Sequence, residues 1–181
     1  MDVPSIASER LDLVSMSLEF MRACLDGDLS FASELIQTAL PAGWPGDAAR
    51  TLRRRVRQLE ADPSEQPWLL RGMVLRSPSR HLVGRIGFHA HPDPRGALEI
   101  GYAVEPAYRR RGYATEAVEA MLGWATREHG IRHFVASVGP NNVASLALVN
   151  SFGFIQTGRQ WDDEDGEELV FELAFPEKPI A

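Results

Sequence analysis

Six consecutive residues, Arg109-Arg110-Arg111-Gly112-Tyr113-Ala114, have the types and spacing of a cradle for a multiply charged anion. They stand between a stretch that alternates like a strand, ending near Val104, and one with the apolar recurrence of a helix. The first amides of a helix lack intrahelical acceptors and point outward at the positive end of its dipole. A diphosphate placed there can therefore accept several of them at once. Small residues are needed where the anion approaches: Gly112 has no β-carbon, Ala114 has a single side-chain carbon, and the three arginines raise the local positive potential. A plain turn with a basic face would use the same residue types, so the surrounding elements have to distinguish the two.

On the C-terminal side, Ala114, Ala117, Val118, Met121, Leu122 and Ala125 recur as on one face of a helix running from about Gly112 to His129. Glu116 and Glu119 lie near its start, Arg127 and His129 near its end and Gly130 just past it, as the dipole and a left-handed cap favour. On the N-terminal side, strands over 68–75, 82–89 and 97–104, separated by Ser77-Pro78-Ser79 and by the turn from Pro92 to Gly96, predict an antiparallel meander. The strand over 131–138 is joined to 97–104 by a helix crossover and should run parallel to it. A short helix over 143–152 follows, then strands over 154–161 and 168–175 with the acidic turn Asp162-Asp163-Glu164-Asp165-Gly166 as a hairpin signal. Upstream, a strand over 9–14 precedes a helix capped by Ser17 and closed by Gly27, and further helices are expected over 31–39 and 47–61. On the last of these, Leu52, Val56 and Leu59 form an apolar face, and Arg53, Arg54, Arg55 and Arg57 read as its solvated side.

Composition limits the choices. A 181-residue chain with 44% hydrophobic residues and mixed charges fits one globular domain, 1–181. The net charge of −6 argues against a general nucleic-acid binder and suits a cationic partner. No apolar run approaches the roughly 20 residues needed to cross a bilayer, no leader pattern is visible, and the single cysteine, Cys24, agrees with a reducing compartment. The expectation is a cytoplasmic monomer or homodimer without a membrane or nucleic-acid partner.

The segment Arg109, Gly112, Ala114 resembles the signature of the GNAT superfamily of N-acetyltransferases, which is Gln or Arg, two residues, Gly, one residue, then Gly or Ala. From Leu82 through Phe154 the order of strands and helices is similar to that family's. Glu9-Arg10-Leu11, together with Asn142-Val143-Ala144-Ser145 and the later Gly153-Phe154, resembles the branch containing the ribosomal-protein N-terminal acetyltransferases. The resemblance implies an α/β domain with a mixed, mostly antiparallel twisted sheet flanked by helices. The sheet would splay between the fourth and fifth strands, 97–104 and 131–138, with acetyl-coenzyme A in the opening. Arg109, Arg110, Arg111, Gly112, Tyr113 and Ala114 would hold its pyrophosphate, and Tyr102, Ala103 and Val104 would pair with the pantetheine amides as an added strand does. Asn142 and Ser145 would lie near the pantetheine arm and sulfur, although either asparagine before Val143 could equally be a helix cap.

An amine acceptor must lose a proton before attacking a thioester, and the departing sulfur benefits from one. For the first task the resemblance points to Glu99, which could also be an outward-facing strand carboxylate. For the second, many family members use a tyrosine where this chain has Val149, which leaves Ser145 or an ordered water. A backbone amide near Val104 would suit the developing oxyanion. The implied activity is acetyl transfer to a primary amine, either a protein N-terminus or a small amine, by direct attack. The alternative is an acetyl-coenzyme A sensor without turnover. Other features read more plainly. His89 and His91 could share a strand face but show no third metal ligand, Trp44 could wall an acceptor pocket or anchor the core, and Cys24 reads as a packing residue.

Overall fold

The computed structural model describes residues 3–163 and 166–176. Its contacts fall into two units, one formed by residues up to Gly87 with Tyr102–Met121, the other by Phe88–Gly101 with residues from Leu122 onward. Eight strands follow one another as hydrogen-bonded neighbours in the order β1-β2-β3-β4-β5-β6-β8-β7. The sheet is mixed and mostly antiparallel, as expected, with β5 and β6 as its parallel pair.

In the first unit, β1 (Ile6–Ala7), β2 (Leu11–Ser15), β3 (Arg71–Leu75) and all but the last residue of β4 (Leu82–Phe88) pair antiparallel in succession. Their inward residues join three helices, α1 (Leu18–Asp26), α2 (Leu29–Ile36) and α3 (Ala48–Ala61), in a core that includes Met16, Phe20, Met21, Trp44, Leu52, Leu59 and Val74. The caps of α1 are those expected: Ser17 Oγ accepts from the Phe20 amide, and Gly27 closes the helix at φ 84°. Helix α2 begins and ends earlier than its periodicity suggests. Asp28 caps it, Gln37 turns left-handed at φ 49°, and Ala39 is drawn into a bridge with His81. Strand β3 begins at Arg71 rather than at Trp68, because the Trp68 and Leu69 amides are taken by the turn carbonyls of Glu65 and Gln66.

The arginines of α3 divide. Arg53, Arg54 and Arg57 are exposed, but Arg55 is buried and donates to Gln58 Oε1 at 2.7 Å, so the solvated-face reading fails at that position. Arg71 is also buried, its guanidinium donating to the carbonyls of Pro4, Leu13 and Pro67. Burial pulls its proton affinity down to about 10, which still leaves it charged at neutral pH.

In the second unit, β5 (Ala97–Val104) contributes Ala97 to Gly101 and pairs with β6 (His133–Val138) at Ala97↔His133, Leu98↔Phe134 and Glu99↔Val135. The strand expected over 131–138 starts two residues later because the Ile131 amide is used by Ala125 O in closing helix α4 (Tyr113–His129) at Gly130. Along β6, Phe134, Ala136 and Val138 are buried while His133, Val135 and Ser137 are half-exposed. The final hairpin, β7 (Ile155–Asp162) and β8 (Gly166–Ala174), places β8 against β6 and β7 outside it. Glu164 and Asp165 of the expected acidic turn lie outside the described residues. Helix α5 (Val143–Ser151) completes the unit.

Candidate active site

The signature loop belongs to the first unit. Arg110 lies at φ 61° and Gly112 at φ 81°, so two left-handed residues are separated by one neighbour as the chain enters α4. Alternation of this kind turns successive amides toward a common point, the geometry of an anion-binding nest. The first intrahelical bond recorded, from Glu116 N–H to Gly112 O at 3.1 Å, leaves the amides before Glu116 at the open end of the helix. Arg109 folds back to donate to Val104 O at 3.0 Å, and Arg111 donates to Ala107 O at 3.2 Å while covering the Tyr108 ring. Arg110 and Gly112 are exposed.

A clamp from β2's leading edge holds this loop. Arg10 bonds Glu116 through both its backbone amide and its Nε, each at 2.6 Å, donates to Arg111 O at 3.0 Å and lies over the Tyr113 ring. Ser8 Oγ donates to the same Glu116 carboxylate at 2.7 Å. Burial works to raise the Glu116 pKa, but these donors together hold it below the usual carboxylate range, and the same pairing raises that of Arg10. Sequence reasoning placed Glu116 at the helix start and noted Arg10, but no local pattern joined them, since they are 106 residues apart.

Beside the loop, Tyr102, Ala103 and Val104 form the end of β5 within the same unit. Gly84 on β4 lies so close that a β-carbon there would stand 2.5 Å from Ala103 O. That close approach explains a glycine in the middle of a strand.

Glu99 belongs to the second unit and is not a solitary carboxylate. Ser137 Oγ donates to Glu99 Oε1 at 2.7 Å, and His89 Nδ1 lies 3.5 Å from Glu99 Oε2. Gln160 Nε2 stands 3.0 Å from both Ser137 Oγ and Glu168 Oε2. Ser137, Gln160 and Glu168 were missed by sequence reasoning because three strands bring them together. Gly101 makes room for the imidazole, which comes within 2.7 Å of where its β-carbon would be.

Asn142 is the cap of α5, with Oδ1 accepting the Ser145 amide at 3.2 Å, so the capping role is realised and Ser145 enters through its backbone. Val149 is buried. Trp44 is a core anchor rather than a pocket wall: it is 5% exposed and its Nε1 donates to Cys24 Sγ at 3.2 Å. Burial raises the Cys24 thiol pKa, which disfavours the nucleophilic thiolate. His91 turns to its neighbour Pro92 O while His89 faces Glu99, so the two imidazoles do not act together. Among the described residues there is no group of three or more potential metal ligands, and no helix long and apolar enough to cross a membrane.

Known proteins agree with this architecture. The chain is 30% identical over 83 residues to the uncharacterized N-acetyltransferase YjdG of Bacillus subtilis, covering 46% of this chain and 49% of that protein. It is 33% identical over 99 residues to an L-2,4-diaminobutyric acid acetyltransferase of Streptomyces coelicolor, covering 54% and 55%. The chain spans about half the length of the curated relatives it matches. Among solved structures, the ribosomal L7/L12 alpha-N-protein acetyltransferase RimL in complex with coenzyme A superposes with a TM-score of 0.64 at 18% identity, covering 94% of this chain and 97% of that one. The family model for the acetyltransferase (GNAT) domain matches residues 25–155, and with most of its length inside that match the chain belongs to this family.

Proposed function

We propose that the chain binds acetyl-coenzyme A and transfers its acetyl group to a primary amine by direct attack. The observation that carries this reading is the loop before α4, where left-handed Arg110 and Gly112 precede the open helix end. The cofactor pyrophosphate would be held by amides from Arg110 to Ala114, with Arg109 and Arg111 supplying positive potential. Backbone groups of Tyr102, Ala103 and Val104 would pair with the pantetheine amides. Asn142, whose Oδ1 accepts the Ser145 amide, would turn its side-chain N–H groups to the cofactor. Crystals of RimL contain coenzyme A, which supports the same ligand here.

In the reaction, a protonated amine gives one proton to Glu99 and attacks the thioester carbon. The new C–N bond forms, the C–S bond breaks, and the sulfur leaves with a second amine proton, directly or through Ser145 or water, as free thiol. Glu99 then returns its proton to solvent. Burial of Cys24 supports direct transfer over an acyl-enzyme. The acceptor is a protein N-terminus or a small amine, classes represented by RimL and by the diaminobutyric acid enzyme. Val149 in place of the family's tyrosine favours the second reading, a sensor that binds the thioester without turnover.

Release of free thiol from acetyl-coenzyme A, measured against a panel of peptides and small amines, separates the two. The enzyme reading predicts acceptor-dependent release that falls at least tenfold in Glu99→Gln with little change in acetyl-coenzyme A affinity. Tight binding without release from any acceptor leaves the sensor.

A further inference from the structure

We propose that Ser137, held by Gln160 and Glu168, is the positioning residue that keeps the Glu99 carboxylate ionised and aimed. The inference rests on the assignment of Glu99 as base and adds the groups that make it one.

The direction of the hydrogen bonds follows from chemistry. Ionised Glu168 can only accept, so the Gln160 atom 3.0 Å from it must be the amide nitrogen. That nitrogen has two protons. One goes to Glu168, and the other reaches Ser137 Oγ at 3.0 Å. With a lone pair of Ser137 occupied from that side, its single hydroxyl proton is directed to Glu99 Oε1 at 2.7 Å. Glu168 on β8 and Gln160 on β7 are direct partners in the hairpin register, which fixes the outer part of the chain. Ser137 and Val135 lie on the same half-exposed face of β6, and Val135 is the register partner of Glu99. Three strands thus deliver one donor to one carboxylate oxygen.

A hydrogen bond to the charged form of a carboxyl stabilises that form. Ser137 engages Oε1 directly, so its hydroxyl both stabilises the charge and fixes the rotation of the carboxylate. His89 Nδ1 lies 3.5 Å from Oε2, longer than the Ser137 bond to Oε1. Titratable groups near Glu99 among the described residues include His89, from the chain just after β4, and Glu168 on β8, one step removed through Gln160. The neighbouring pair of His133 on β6 and Glu172 on β8 is closed on itself at 2.6 Å.

The test measures kcat against pH in wild type, Glu99→Gln, Ser137→Ala, Ser137→Thr and Gln160→Met, together with side-chain carboxyl NMR titration. The Glu99 resonance is identified by its loss in Glu99→Gln. Ser137→Ala and Gln160→Met are expected to raise the Glu99 titration, and with it the acidic limb of kcat, by about half to one pH unit. The KM for acetyl-coenzyme A should stay within twofold of wild type, and Ser137→Thr, which keeps the hydroxyl, should restore the wild-type limb. A uniform loss of kcat at every pH, with the Glu99 resonance unmoved, overturns the proposal and marks Ser137 as merely structural. Survival of the acidic limb in Glu99→Gln would instead remove Glu99 as base. The NMR titration reads the Ser137 effect even without turnover.

Discussion

Arg110 occupies a backbone conformation that non-glycine residues adopt rarely, and such strain persists where the surroundings determine it. Here the surroundings are the Ser8, Arg10 and Glu116 cluster, which ties the N-terminal segment to the first turn of α4 and to Arg111 O. The side chain of Glu116 is only 13% exposed, so losing its charge leaves donors poorly satisfied. Glu116→Gln should lower unfolding free energy at pH 7 by about 2 kcal/mol. The folded-state pKa of Glu116 lies below the ordinary 4.5, so its stabilisation is present above that value and is lost as pH falls through the folded pKa. Urea unfolding should show the gap between wild type and variant narrowing below pH 4.5. A gap independent of pH down to full protonation would contradict this ionic role.

At the scale of elements, β5 carries both the proposed base and the proposed pantetheine-pairing segment: Glu99 precedes Tyr102 by three residues. Its terminal backbone is set by Gly84 on β4. Gly84→Ala would drive a β-carbon to 2.5 Å from Ala103 O, a contact with backbone that no rotamer can relieve. The expected outcome is a loss of about 1–3 kcal/mol in stability, with weakened acetyl-coenzyme A binding as the carbonyl is displaced. Thermal unfolding and titration of the cofactor check both, and an unperturbed variant would show that this edge is not tightly held. Helix α4 and the caps of α1 were legible because their determinants lie within a few consecutive residues. The ends of α2 were not, because Ala39 answers to a bridge with His81 rather than to helix periodicity. Arg55 and Arg71 escaped for the same reason: charge alone says solvated, and only distant groups such as the carbonyls of Pro4 and Leu13 make burial of Arg71 tolerable.

For the molecule as a whole, the family was readable from a contiguous motif, whereas the surroundings of Glu99 were not. They depend on β8 being inserted between β6 and β7 and on a register that brings Gln160 opposite Glu168, neither of which local pattern specifies. Amides at the open end of α4 are proposed to grip the cofactor's linked phosphates. Gly112, at φ 81° and 3.3 Å from Arg10 when given a β-carbon, is the residue whose substitution most directly disturbs that grip. Isothermal titration of acetyl-coenzyme A into wild type and Gly112→Val, with folding verified by circular dichroism, measures it directly. Saturable binding near one cofactor per chain is expected in wild type, and at least tenfold weaker binding in the folded variant; no heat in wild type, or equal affinity in both, would rule out a grip by these amides.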